Sequence, residues 1–472
     1  MKLRRFLFAV LIFYAVYQLR FPFETGIPSV NLLNLLFGAI LFLLLMERDV
    51  PAMVAHAAKL KGAMAFFLAA ITLAFVISLA RGGTYPTMEV ATYYKNALFF
   101  PLLYFLALRS RLNAEHSRQM MILILVVAAL GSFQAVRQGL DYGLGNYVDT
   151  RRASGPFGVD WKMANRAGVY FAMYVPMFTA LAVMLKGQKL WRIGAIAGIA
   201  LTALAVMFTY SRQSYGIALV GFALVLLRRN VVLATIVLAA LVSLATYLPD
   251  SVTDRVAETQ QRDASGGTDV DLSTASRWII WEGGSRMWAD YPMGVGLTRF
   301  PEHIGDYAPQ FPGKDAHNFY VLTLCECGAI GIFALLCLVL RIFTFAIGLR
   351  RAAPPGDHEA RALTTGFGVM VLCMAMGNLY GSPFFEGEIM GVFWMLCGFM
   401  ERYVTLRNAV ADESTAAAPV FDPSAAMVER FPLAARASGK ASGRAHAQPT
   451  PLRLGREVST ASQAGAARPK ME

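Results

Sequence analysis

A handful of residues in this chain have types and positions that suit chemistry better than packing. His317 stands at the head of DAHNFYVLTLCECGAIG (315–331), an otherwise apolar run that also carries Glu326. Polar groups in such a run are costly unless they pair, line a cavity or react. An imidazole there can accept a proton near neutral pH, although a lone histidine leaves a structural and a catalytic reading open. Arginine supplies the second kind of chemistry, because its planar fork of donors matches phosphate oxygens. In STASRWIIWEGGSRMWADYP (273–292), a turn of about 100° per residue sets Arg277 on one side with Trp281 and Trp288, and Arg286 on another beside Glu282 and Asp290. Arg286 is thereby explained by its carboxylates, whereas Arg277 suggests an anionic ligand; a solvated ion pair is the plain alternative for either. FTYSRQS (208–214) leaves Arg212 between two apolar runs with almost no loop to keep it in water, which predicts that it points into a cavity. RRASGPFGVDWKMANR (151–166) gathers Arg151, Arg152, Lys162, Asn165 and Arg166 in one loop, readable as attraction for an anion or as contacts with lipid headgroups.

The elements that must position these groups are membrane helices. Of 472 residues, 56% are hydrophobic and only 16% charged, too apolar for a soluble chain with wetted surfaces. Runs near 4–20, 29–46, 63–81, 96–108, 119–136, 167–185, 191–210, 213–227, 231–248, 318–340, 362–380 and 388–404 predict about twelve transmembrane helices, the fourth and eighth being short. The first, MKLRRFLFAVLIFYAVYQL, has no small-residue cleavage site after it and reads as a helix that stays. All five cysteines fall in apolar segments, which suggests neither a disulfide framework nor a zinc site. The net charge of +12 sits in short loops between apolar runs, as membrane orientation requires, and a helix bundle in lipid offers nothing to read a nucleic-acid groove. Those loops put both termini in the cytoplasm and send 249–317, with its eleven acidic and six basic residues, to the opposite face. Within that loop a surface helix is expected, capped by Ser273, Thr274 or Ser276 and weakened by Gly283 and Gly284, while Asn318 or Asp315 can cap the tenth span. The expected organisation is an all-α membrane domain over 1–404, with the long loop 249–317 inside it, and a disordered tail over 405–472 that is too rich in Ala, Ser, Pro and Arg to build a core.

The sequence His317-Asn318, nine residues, Gly328, two residues, Gly331, with Glu326 just ahead of the glycines, resembles the signature of the bacterial O-antigen ligase and polymerase superfamily. SRWIIWEGGSRMWADYPMGVGLTRF is similar to that family's arginine-tryptophan segment ending in P-x-G-x-G, FTYSR to its T-x-S-R junction, and RASGPFGVDWKMANRAG to the loop before its middle helices. The likeness covers roughly residues 150 to 400. It implies a GT-C-like glycosyltransferase in the bacterial inner membrane, its active site facing the periplasm. Such an enzyme moves a glycan from undecaprenyl pyrophosphate to a hydroxyl of a saccharide or lipid acceptor, with no cofactor, nucleotide sugar or obligatory metal. Carried over residue by residue, His317 would be the general base and Arg212 and Arg277 would hold the pyrophosphate. Asn318, Asn165 and Arg152 would support them, Glu326 would orient the donor or pair with an arginine, and Gly328 and Gly331 would allow close helix packing. Ligase, polymerase and protein glycosylase share these motifs. A flippase or other polysaccharide transporter is the alternative from another class; it predicts charges spread through the membrane, whereas the unexplained ones here gather at the outer helix ends.

Overall fold

Backbone N–H and C=O groups inside a bilayer must be satisfied within the chain, so apolar runs of this length fold as helices. The structure, a computed structural model, describes residues 2–23, 25–26, 30–47, 58–143, 148, 150–158, 161–245, 260–262, 268–270 and 272–416. One compact unit spans Met1–Glu413; of a second, Ser414–Glu472, the described part is the last turn of a helix.

The helices among the described residues are α1 (Lys2–Tyr17), α2 (Leu32–Met46), α3 (Lys61–Arg81), α4 (Thr87–Leu108), α5 (Ala114–Tyr142), α6 (Ala164–Met184), α7 (Lys189–Phe208), α8 (Arg212–Arg229), α9 (Val231–Ala245), α10 (Leu272–Asp290), α11 (Phe300–Tyr307), α12 (Phe319–Ala352), α13 (His358–Gly377) and α14 (Gly387–Ala416). Each expected span falls on one of them, and 7 are long and apolar enough to cross a membrane by length and composition, with α2 a shorter apolar helix. The chain is a multi-pass membrane protein of helices.

Several expectations are corrected in detail. Helix α4 starts at Thr87 rather than near 96, because its first turns carry Glu89 and Lys95 and escape a hydropathy criterion. Helix α10 starts at Leu272, ahead of the expected caps, and continues through Gly283 and Gly284. Helix α14 runs to Ala416, so the first part of the expected tail is helical, and its remainder, 417–472, lies outside the described residues. So do 246–248 at the end of the ninth expected span and 249–259, 263–267 and 271 of the long loop, in which strands Gln260–Arg262 and Thr268–Val270 pair antiparallel.

Helices α6 and α14 are buried along most of their length, and α6 packs against α7, α8 and α13. A helix apolar all round belongs in such an interior. The outer helices show apolar faces outward, with Ile193, Phe333, Leu336 and Leu340 exposed, as suits contact with lipid. The first turns of α8 and α12, the end of α13 and the surface helix α10 meet at one end of the bundle, and there the reactive residues gather.

Candidate active site

His317 is mounted on a backbone held from both sides. On one side, Asn318 caps α12 by accepting the N–H groups of Tyr320 (2.9 Å) and Val321 (3.1 Å), while the Phe319 N–H donates to the carbonyls of Asn378 (2.9 Å) and Gly381 (3.1 Å). The cap is therefore Asn318; Asp315 instead accepts the Ala316 N–H at 2.9 Å. On the other side, the Trp281 indole Nε1 donates to the Ala316 carbonyl at 2.8 Å. Between these anchors His317 has φ +49, a left-handed conformation. That costs a residue with a Cβ about 1–2 kcal/mol, and it persists only where neighbours impose it, a situation that clusters at functional sites. The imidazole stands half-exposed at the surface of the site.

Its electrostatic surroundings favour the neutral form. Burial lowers the His317 pKa, the Asp315 carboxylate opposes this, and Arg277, Arg166 and Lys314 lower it further, so the net direction is below 6.5. The Asp315 Oδ2 lies 3.9 Å from His317 Nδ1, too far for a hydrogen bond but close enough for its charge to be felt. Arg277 extends over the Tyr380 ring at 5.7 Å, and Trp281 lies against the same ring at 5.4 Å. The four-residue spacing of Arg277 and Trp281 thus delivers a cation and an anchor to one aromatic edge. Arg166, which sequence reasoning left in a general anion-attracting loop, pairs with Glu386 at 3.0 Å. Burial raises that carboxyl to about 7 against the pull of Arg166, with Glu388 and Asp315 adding to the rise. Arg286 behaves as expected, 3.8 Å from Glu282 and donating to the Tyr307 carbonyl at 2.7 Å.

Arg212 is the first residue of α8, half-buried, behind a tight junction in which Tyr210 has φ +49 and Ser211 and Ser214 are hydrogen-bonded at 2.9 Å. The next residue, Gln213, donates to the carbonyls of Met376 (3.2 Å) and Gly377 (2.9 Å), which ties this helix start to the segment that anchors Phe319. Arg212 and His317 therefore share one end of the bundle. Arg152 is buried and braces the same junction, donating to the Thr209 carbonyl at 2.8 Å and to the Asn165 side chain, so both loop residues have an architectural job there.

Glu326 is held by backbone rather than by an arginine. Buried in α12, it accepts the Phe300 N–H at 3.2 Å at the start of α11. The nearby Arg299 is engaged elsewhere, with Glu302 and Ser78, each at 2.9 Å. Gly328 is also corrected: it is a break in the helix, with φ +66, rather than a helix-packing position. A Cβ there would sit 2.4 Å from the Met293 carbonyl carbon, and one at Gly294 (φ +84) 2.3 Å from the Glu326 carbonyl oxygen. The P-x-G-x-G turn at 292–296 thus lies backbone to backbone on the break in α12, with the Val295 N–H bonded to the Cys325 carbonyl at 2.8 Å. At Gly331 a Cβ would meet Cys327 of the same helix first, at 2.1 Å.

Asp315, two residues before His317, is part of the wall of a cavity of about 270 Å³ lined also by Tyr85, Glu89, Tyr93, Thr298 and Glu326 among others. A second, of about 280 Å³, continues along α4 past Thr92 and Asn96 and shares Glu89 and Tyr93. Sequence reasoning missed this wall because α4 lies outside the motifs; Tyr85 just before the helix and Glu89 and Tyr93 in its first turns were the available signal. Aromatic rings with carboxylates suit a saccharide, whose C–H faces stack and whose hydroxyls donate.

Residues 197–336 match the family model described as O-antigen ligase. That stretch begins in α7 and ends within α12, so it contains Arg212, Arg277, His317, Glu326 and Gly328. No curated protein matches the chain.

Proposed function

On the premise that residues 197–336 make this chain a member of the O-antigen ligase and polymerase superfamily, a group of glycosyl-transferring enzymes, we propose that it transfers a glycan from a polyprenyl pyrophosphate to an acceptor hydroxyl at the His317 end of the bundle. Neutral His317 takes the proton of that hydroxyl as its oxygen attacks the anomeric carbon. The carbon–oxygen bond to pyrophosphate breaks in the same displacement, and the leaving group departs with the bonding pair. Arg277 and Arg212 stabilise the departing charge, which fixed guanidinium groups do best in a site shielded from water. The acceptor sugar occupies the cavity along α4, its hydroxyls meeting Glu89 and Asp315 and its faces Tyr85 and Tyr93. The end bearing His317 faces the periplasm, because the arginine-rich loops at 228–229 and 350–351 belong to the other face.

The observation that carries this reading is His317 itself. It is held left-handed by anchors on both neighbours and kept below its usual pKa by burial and surrounding cations. That is the mounting a base needs rather than a packing residue. The glycan profile of a deletion strain tests the reading and names the product class. Accumulated single lipid-linked repeats identify a polymerase, and accumulated full-length lipid-linked polymer identifies a ligase. An unchanged profile contradicts the proposal.

A further inference from the structure

At the end of the bundle opposite His317, roughly 45 Å away along α12, helices α8, α12 and α13 surround a pocket of about 570 Å³. Four guanidinium groups line it: Arg228 in the last turn of α8, Arg350 and Arg351 in the last turn of α12, and Arg361 in the first turns of α13. None of the four is paired with a carboxylate among the described residues. The carboxylates at the start of α13 are already engaged, Asp357 capping the helix and holding Arg407 at 2.5 Å, and Glu359 holding Arg118.

Two ordinary explanations account for part of this. Cations collect on one membrane face to set orientation, and cations at helix C-termini complement the helix dipole, which suits Arg228, Arg350 and Arg351. The dipole does not explain Arg361, and orientation alone does not explain why four cations face one cavity. Arg361 lies near the N-terminus of α13, where the dipole disfavours a cation, and its Nη1 donates to the Pro355 carbonyl at 3.3 Å beside the three other cations. Four like charges around one cavity repel one another, and an anion between them relieves that repulsion. Apart from Thr364 the remaining side chains of the wall are apolar, with Leu224, Phe343 and Ile347 prominent, and they continue into the exposed face of α12 at Leu340. A soluble anion has no use for such a wall, whereas acyl chains do.

We propose that this pocket binds the phosphate headgroup of an anionic glycerophospholipid, with its chains lying along the outer face of α12. The site is separate from the reaction at His317 and stands whether or not that reading holds. The test is native mass spectrometry of the purified full-length protein equilibrated with phosphatidylcholine, with phosphatidylglycerol, and with both together. Each arginine near an anionic lipid contributes about a fivefold preference, so with four of them the wild type should retain phosphatidylglycerol over phosphatidylcholine by several hundredfold, about 600. The combined variant Arg228→Gln, Arg350→Gln, Arg361→Gln should reduce that preference to about the fivefold that Arg351 alone supplies. Arg229→Gln, which removes an exposed charge from the same helix end outside the pocket, should keep it. Equal retention of the two lipids by the wild type overturns the proposal without recourse to any variant. A loss in Arg229→Gln as large as in the triple variant overturns it in favour of diffuse attraction. Displacement of the lipid by an equal concentration of inorganic phosphate would reassign the pocket to a free anion.

Discussion

Trp281→Phe separates positioning of the base from its chemistry. The substitution keeps an aromatic ring against Tyr380 but removes the Nε1 hydrogen bond, 2.8 Å long, to the carbonyl of fully buried Ala316. A buried carbonyl left without its donor costs about 1–3 kcal/mol. The left-handed backbone of His317, next in sequence, stores about 1–2 kcal/mol that this anchor helps to hold. Once it is gone, relaxation of residues 316–317 toward ordinary dihedrals becomes favourable and swings the imidazole off its line. If about 1–2 kcal/mol of that appears in the transition state, kcat falls roughly 5- to 30-fold. The donor KM stays near the wild-type value, because Arg277 and Tyr380 are untouched. Trp278→Phe is the control: Trp278 is exposed and touches Trp281 only ring to ring at 5.3 Å, so its effect stays within about twofold. The assay uses purified protein with a lipid-linked donor and a glycan acceptor, reading product by gel shift over a range of donor concentrations. A Trp281→Phe variant with wild-type kcat, or a loss confined to KM, refutes the anchoring role, as does an equal defect in Trp278→Phe.

Gly328→Ala must accommodate both a left-handed φ and a Cβ 2.4 Å from the Met293 carbonyl carbon, so it should cost about 2–5 kcal/mol and lower the melting temperature in detergent, whereas Gly348→Ala, with open space around it in the same helix, should not. The activity profile should bear the stamp of the charges around His317, since a base works only when neutral and activity falls as pH drops through its pKa. Lys314→Gln removes a lowering influence and should move the acid limb to higher pH, and Asp315→Asn removes a raising one and should move it lower; shifts in the opposite sense, or none, count against His317 as the titrating group. Arg277→Lys keeps the charge but not the fork and should weaken donor binding by about tenfold or more. Arg286→Ala should leave kcat/KM within about twofold, because an exposed pair contributes little; equal sensitivity at the two positions would dissolve the distinction drawn between them.

The helices were legible because apolar runs long enough to span a bilayer have one way to satisfy their backbone. His317 and Arg277 stood out by the same physics, as polar groups with no local excuse for lying beside apolar runs. Arg286 was readable from Glu282 one turn earlier, although Asp290 accepts a hydrogen bond from the Tyr307 hydroxyl instead, at 2.7 Å. Contacts between distant segments were not readable. Nothing local tells that Arg166 meets Glu386, that Arg299 closes on Ser78, or that the first turns of α4 wall a cavity with Asp315. Arg152 was legible as a supporting cation but its partners were not: a carbonyl freed at the end of α7 and the side chain of Asn165 engage it. Gly283 and Gly284 argued against α10 on propensity, and packing overrode them. A Cβ at Gly283 would come to 3.2 Å from Ala308, and one at Gly284 to 3.1 Å from Cys325, so both glycines let the helix lie close on its neighbours.

Transfer by His317→Ala, measured beside His303→Ala in the same donor and acceptor assay, bears most directly on the claim that His317 is the base. A positioned base contributes about 10²–10⁴ to rate and little to ground-state binding. His317→Ala should therefore lose about that factor in kcat while it inserts normally and still binds lipid-linked donor. His303, which packs beside Tyr291 with ring centroids 5.7 Å apart, should tolerate alanine with activity near wild type. A His317→Ala enzyme that keeps more than about a tenth of wild-type kcat, well above what loss of a base allows, would contradict the account.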